Sequence, residues 1–365
     1  MAPDDNLAAP VAAAAAPPTP AQQIIIQQKS SAFGRFGKWL LVALAAAVVI
    51  IISLYSSYRS YFSPAEAPRE RFHSLSRHAQ KKIAIIDVSG AIFDGEGSFA
   101  KQQIDRVRED NNVVGVVLRI NSPGGTVTGS DYIYHHLRAL QDEREKKGDA
   151  FPLVVSMGSI CASGGYYIAM AVGDQADAIF AEPTTWTGSI GVIIPHFNLS
   201  GAMEGLRIEE DSIASGPLKE LGSFTQPMTD EERKILQTLV DDSFNGFKEI
   251  VQSGRPKFKA EPAALDAVAT GQIFTAKQAK ERGMVDRIGF VDEAIARAVE
   301  LAGRTADDVR CVKYEQRPTL FGELLGADTG VPARGSMDVS AIVDLATPRA
   351  YYLWSWLPAA LSNSR

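Results

Sequence analysis

The groups in this 365-residue sequence that could do covalent chemistry fall in a few glycine-rich stretches and around one isolated lysine. Gly158-Ser159-Ile160-Cys161-Ala162-Ser163-Gly164-Gly165-Tyr166-Tyr167 runs from an apolar strand pattern through small residues into a helical one. A serine at such a junction exposes its Oγ and lies near the positive end of a helix, where a developing oxyanion is stabilised. Ser163 is therefore the candidate nucleophile. Capping alone would also place a serine there, and Ser159, ahead of the Gly-Gly step, is its nearest competitor. A hydroxyl needs a base to take its proton at neutral pH. Of the five histidines, His73 and His78 lie in a polar stretch, His135 and His136 are neighbours on a helix, and only His196 sits at a strand end. The other candidate is Lys219, in Ser215-Gly216-Pro217-Leu218-Lys219-Glu220. A lysine acting as base must be neutral, so its pKa has to fall from about 10.4 toward about 7 to 8, a shift that burial can supply. In solvent the same residue would be an ordinary loop lysine.

Two further segments could complete a site. Asn121-Ser122-Pro123-Gly124-Gly125 follows an apolar strand, and consecutive glycines let backbone N–H groups face a ligand with no side chain in the way. Alone, it reads as a strand-to-helix turn. Thr187-Gly188-Ser189-Ile190-Gly191 places a hydroxyl in a glycine-flanked strand, where it could orient a lysine amine or simply sit in a strand packed tightly on a helix.

Positioning these residues requires a regular framework, and the pattern supplies one. Apolar runs at Ile83–Val88, Val113–Ile120, Leu153–Ser156 and Asp177–Ala181 read as strands. Stretches with helical periodicity at Gln102–Glu109, Asp131–Lys147 and Ser163–Val172 separate them. Such alternation predicts an α/β fold with a parallel sheet wrapped by helices. Thr229-Asp230-Glu231-Glu232 has the form of a capped helix start, and helices are predicted over Glu231–Ser253, Ala276–Arg282 and Asp292–Ala302. Beyond Arg317 the pattern decays until the aromatic cluster Tyr351-Tyr352-Leu353-Trp354 and Trp356.

Trp39–Tyr58 carries no charge, and its 20 residues at about 1.5 Å each match the hydrocarbon thickness of a bilayer. Lys29, Arg35 and Lys38 precede it closely, which predicts a cytoplasmic N-terminus and everything after Tyr58 outside, although Arg59, Arg69 and Arg71 pull the other way. A cleaved signal peptide ending near Ala65-Glu66-Ala67 is the rival reading, but that site lies far past the apolar run. The expected organisation is a disordered tail (1–34), an anchor (35–60), a linker (61–81), a catalytic domain carrying Ser163 and Lys219 (82–317) and a C-terminal extension (318–365). With 45% hydrophobic and 22% charged residues and a net charge of −6, the chain has no basic bias that would suit nucleic acid. Cys161 and Cys311 are the only cysteines, and neither has metal-ligand spacing.

SPGG, CASGGYY, TGSIGV and SGPLKEL, in this order, resemble the bacterial signal peptide peptidase family of the SppA type, in its short form, across roughly residues 82–300. The resemblance implies a crotonase/ClpP-like fold preceded by one transmembrane helix, with Ser163 as nucleophile, Lys219 as general base and Ser189 orienting the lysine. It places the oxyanion region at Gly124, Gly125 and Gly164. It further implies an apolar substrate pocket, expected near Ile160 and Tyr166, and no metal or organic cofactor. The implied substrates are remnant signal peptides, and lipid is met through Trp39–Tyr58. The implied assembly is a ring-like homo-oligomer in which serine and lysine of one site can come from neighbouring units, and the implied location is the bacterial cytoplasmic membrane. Cys161 stands where the family more often has alanine. The competing readings are a related Ser-Lys protease acting on membrane or scaffold proteins, a crotonase-fold acyl-CoA enzyme, and an inactive scaffold.

Overall fold

The computed structural model describes residues 32–62, 68–148, 150–316 and 351–353. The chain divides into two units, Met1–Ala65 and Glu66–Arg365. In the first, helix α1 (Ala32–Phe62) contains the stretch Phe36–Tyr55, which has a mean hydropathy of 2.4 and is long and apolar enough to cross a membrane. The Ala/Pro-rich tail before residue 32 and most of the C-terminal stretch, Trp354 and Trp356 included, lie outside the described residues.

The second unit is built on strands β1 (Arg69–Leu75), β2 (Lys81–Ser89), β3 (Val113–Ser122), β4 (Gly124–Thr126), β5 (Leu153–Ala162), β6 (Ile179–Ala181), β7 (Trp186–Gly188), β8 (Ile273–Thr275), β9 (Arg287–Ile288), β10 (Val309–Glu315) and β11 (Tyr351–Leu353). The helices between them are α2 (Phe99–Glu109), α3 (Val127–Glu145), α4 (Gly164–Ala169), α5 (Ser200–Gly205), α6 (Asp230–Gly254), α7 (Pro256–Ala260), α8 (Pro262–Asp266), α9 (Ala276–Glu281) and α10 (Val291–Leu301). The main sheet runs β1-β10-β2-β3-β5-β6-β9, parallel from β10 to β9. Beyond β6, the far half of β5 is paired in parallel by β7, which β8 joins antiparallel.

The predicted parallel α/β architecture is thus present, and the central strands β2, β3 and β5 carry continuous apolar runs because both faces are covered. Ile83, Ile85, Val117 and Val154 point to one face, against Ile295, Ala298 and Val299 of α10. Their neighbours Ala84, Ile86, Val116, Leu118 and Val155 point to the other, with Ile104, Leu137 and Phe247 from α2, α3 and α6. The two-residue period of a strand assigns each side chain to its layer. The start of α6 is the predicted cap: Thr229 Oγ1 accepts from Glu232 N at 3.2 Å, and the Glu232 carboxylate accepts from Thr229 N at 2.7 Å.

Two departures stand out. The stretch predicted as a polar linker contains β1, which pairs antiparallel with β10, itself absent from the sequence prediction. The C-terminal β11 pairs antiparallel with β4 in a separate two-stranded sheet, bringing residue 351 to residue 126.

Candidate active site

Ser163 and Ser189 are set side by side by strand register. β5 and β7 are parallel with Ala162 opposite Gly188, so the next residue of each strand leaves the sheet at the same level. Ser163 N–H donates to Gly188 O at 2.7 Å, and Ser189 N–H donates to Gln272 O at 2.7 Å. Both serines have positive φ, 53° and 51°. A residue with a Cβ pays about 1–3 kcal/mol for such backbone, and these hydrogen bonds hold it there. The turn projects the Ser163 side chain off the end of the sheet as the chain enters α4. Ser163 is 1% exposed, and its buried Oγ has no hydrogen-bond partner. A buried hydroxyl left unpaired costs about 1–3 kcal/mol. That is a poor arrangement for a structural serine and a suitable one for a nucleophile awaiting its base.

Backbone donors converge on the same point. Gly124 has φ 103°, a conformation open to glycine, and its N–H is committed to Ser122 Oγ at 3.1 Å. On one side of β4, Ile92 N–H donates to Gly124 O at 2.9 Å and Thr126 N–H donates to Ile92 O at 2.7 Å. Successive backbone groups of an extended chain alternate sides, so the Gly125 N–H faces the opposite edge. Gly164 N–H belongs to the first turn of α4, where no helical acceptor is available. A Cβ added to Gly164 would collide with Ser130 Oγ and stand 3.2 Å from Gly125 N, so only glycine keeps this space open. Of the three glycines expected around an oxyanion, Gly125 and Gly164 present N–H groups and Gly124 shapes the turn.

The edge of β4 opposite Ile92 is taken by β11. Tyr351 N–H donates to Ile193 O at 2.9 Å and Ile193 N–H to Tyr351 O at 3.0 Å, so this strand is held between β4 and Ile193. Tyr352 is opposite Gly125. A Cβ built on Gly124 would meet the Tyr352 carbonyl oxygen, with Gly164 N at 2.8 Å and Ser163 Cβ at 3.1 Å. That carbonyl therefore sits among the atoms that would surround a scissile carbonyl.

Other expected residues fall elsewhere. Lys219 lies in an exposed single turn of 3-10 helix, Pro217–Glu220, and its amine makes no hydrogen bond or ion pair among the described residues. The chain around it exposes Phe197, Leu206, Ile213, Leu218 and Phe224. His196 Nε2 is paired with Ser223 O at 3.0 Å, not with Ser163. Tyr166 is fully buried in the core with its hydroxyl donating to Met284 O at 3.0 Å, and so lines no groove; Ile160 is half-buried at the end of β5 beside Trp186. The aromatic residue that faces the cleft is the next one, Tyr167, whose ring stacks on Tyr352. Which of two adjacent tyrosines faces the cleft is not readable from a six-residue helix buried on all sides. Cys161 is fully buried, and burial pushes its thiol well above its usual range, so it acts as a small core residue. No group of three or more metal-ligating side chains occurs among the described residues.

A sequence profile of peptidase family S49 matches residues 145–305. The chain is 38% identical over 250 residues to "Putative protease slr0021" of Synechocystis, covering 68% of this chain and 85% of that protein. The chain belongs to peptidase family S49. It is of the SppA type within that family: "Putative signal peptide peptidase SppA" of Enterococcus faecium is 35% identical over 299 residues, 76% of this chain and 83% of that protein. "Protease 4" of Salmonella typhi is 33% identical over 68% of this chain, which spans only 39% of that longer protein. The S49 match takes in Ser163, Ser189 and Lys219 and begins after Gly124 and Gly125. This S49 chain is accordingly a protease with the family's ClpP-like fold and a candidate membrane span ahead of it.

Proposed function

We propose that this S49 protease is a membrane-anchored serine endopeptidase that degrades cleaved signal peptides through an acyl-enzyme formed on Ser163, with Lys219 as general base. The buried, unpaired Ser163 Oγ beside the Gly125 and Gly164 N–H groups is the observation that carries this reading. An extended peptide adds to the β4 edge with its carbonyl oxygen toward Gly125 and Gly164 N–H. Neutral Lys219 takes the Ser163 proton as Oγ attacks. The backbone donors hold the oxyanion, and the lysine then protonates the departing amine. Water, deprotonated by the same amine, releases the acyl group and restores Ser163. Ser189, level with Ser163 on the neighbouring strand, orients the lysine.

Lys219 reaches Ser163 from a neighbouring copy in a ring-like homo-oligomer. Its exposed segment, with Ile213, Leu206 and Phe197 in solvent, is the kind of apolar surface that assembly covers, and burial is what a neutral amine requires. Helix α1 anchors the chain in the bacterial cytoplasmic membrane with its N-terminus inside and the catalytic unit outside, which concentrates the enzyme where leftover apolar peptides lie.

The test uses the full-length chain in detergent with a fluorogenic peptide. Ser163→Ala and Lys219→Ala should each abolish cleavage while keeping the oligomeric size. Co-assembling the two dead variants at equal amounts should restore roughly a quarter of wild-type activity, because a site drawing serine and lysine from different subunits finds both intact that often. Activity in Lys219→Ala alone would remove the lysine from the mechanism, and a silent mixture would place both groups on one chain.

A further inference from the structure

The outer edge of the main sheet carries a cationic cleft that proteolysis leaves unused. β1 is the edge strand, and its pairing with β10 is interrupted between Phe72 and Ser74, where His73 is an extra residue. Such a bulge bends and twists a strand. At the end of β1, Leu75 has φ 70°, a strained conformation for a residue with a Cβ. Beyond this turn Arg77 lies back over the Phe72 ring, its guanidinium carbon 5.2 Å from the ring centre. An open cavity of about 400 Å³ is the result, lined by Glu70, Arg71, Phe72, Arg77, Arg310 and Val312.

Edge strands often carry charge simply to discourage pairing with another chain. Here two guanidiniums have donors to spare. Arg77 makes no hydrogen bond or ion pair among the described residues, only its contact with Phe72. The Arg310 Nε is buried without a hydrogen-bond partner, and its guanidinium meets Glu70 only at 3.7 Å. Glu70 is already taken by Lys82 at 2.6 Å, and Arg71 by Glu315 at 2.8 Å. Three arginines against one carboxylate leave the lining cationic. Guanidinium forks match phosphate oxygens. Phe72 and Val312 add apolar contact that a bare ion would not use.

The cleft also follows closely on the apolar helix. Six residues, 63–68, separate the end of α1 from the start of β1. Fully extended, that connection reaches at most about 25 Å, so a bilayer holding α1 presents its headgroups within reach of β1. We propose that this cleft binds the phosphate of an anionic phospholipid headgroup, gripped by Arg77 and Arg310 above Phe72. The proposal rests on α1 being a membrane anchor and is independent of Ser163. It gives a use to charges after the anchor that the positive-inside tendency disfavours. Each of the two arginines should contribute about fivefold to lipid affinity.

The test reconstitutes the full-length chain in nanodiscs of phosphatidylcholine, alone or mixed with an equal amount of phosphatidylglycerol, and reads amide hydrogen exchange segment by segment. Residues 69–77 and 309–315 should exchange at least about fivefold more slowly in the anionic discs, an effect that added salt weakens. Arg77→Gln/Arg310→Gln should exchange alike in both discs while keeping the wild-type oligomeric size and far-UV circular dichroism. Identical exchange of these segments in the two discs overturns the proposal, as does protection undiminished in the folded double variant. Protection reproduced in phosphatidylcholine discs by glycerophosphoglycerol or inorganic phosphate overturns the lipid as occupant. Should the double variant not fold, Arg77→Gln alone decides, with protection reduced as the expected result and protection unchanged as the contrary one. Flotation with vesicles of the same two compositions separates the site from the anchor. A chain that floats with neither removes anchor and site together; one that floats with both but shows no difference in exchange removes the site alone.

Discussion

The turn that holds Ser163 and the turn that holds Lys219 are built in opposite ways. Ser163 sits at the end of a buried strand, its backbone bonded to β7, its neighbours fully covered. Lys219 sits on a single 3-10 turn in a long exposed segment whose apolar side chains face solvent. The proposed nucleophile and oxyanion donors are thus held together by one chain. The proposed base is carried on an exposed surface, which leaves its burial to whatever covers that surface. Activity should accordingly depend on protein concentration and assembly, while the geometry around Ser163 should not.

Substitutions can separate the two halves. The largest effect is expected from Ser163→Ala, which should lower kcat by about 10⁴-fold or more, while Lys219→Ala should do the same with no change in melting temperature of the catalytic unit. Gly164→Ala should lower kcat by about 10²- to 10³-fold, because its methyl group would enter the space between Ser130 and the Gly125 amide; a kinetic assay with unchanged KM would confirm it. Asp286→Ala attacks the framework instead. Its carboxylate pairs with Arg255 at 2.7 Å and accepts from Ala178 and Ile179 N–H, with both charged side chains mostly buried. Removing it should destabilise the unit by about 3 kcal/mol in denaturant unfolding. Tyr352→Ala weakens the strand that occupies the cleft, and short peptides should be cleaved roughly three- to tenfold faster as the open state becomes more populated. The smallest effect is Ser163→Gly: relief of positive φ should stabilise the inactive protein by about 1 kcal/mol in the same assay. A drop in stability there would mean that Ser163 is not strained.

Much of the framework was legible because strands buried on both faces read as continuous apolar runs, and Thr229 with Glu232 announces α6 by its cap. The strand-to-helix turn at Ser163 is legible in its run of small residues, although capping alone would also explain a serine there. The strands β4 and β11 were not, since three residues have no period and their pairing joins positions more than two hundred residues apart. β1 was hidden by its charges: Arg69, Glu70 and Arg71 read as linker, yet Arg71 pairs with Glu315 and Glu70 with Lys82 once β10 lies alongside. Tyr166, expected at the substrate pocket, packs in the core, and the adjacent Tyr167 is the ring that stacks on Tyr352. The burial expected for Lys219 is not supplied by its own fold, and a single sequence carries no sign of what else would cover it.

Because Ile92 already occupies one side of β4, a peptide guest can pair only along the edge that β11 takes, where β11 runs antiparallel. The cleft therefore reads a peptide as a vector. A guest docked in the opposite direction would pair with β4 in parallel, with a different spacing of its carbonyls along the donors. Any stretch still folded into a helix, with its carbonyls spent internally, would be illegible until unwound. In the proposed reaction, selection by backbone extension would precede selection by side chain.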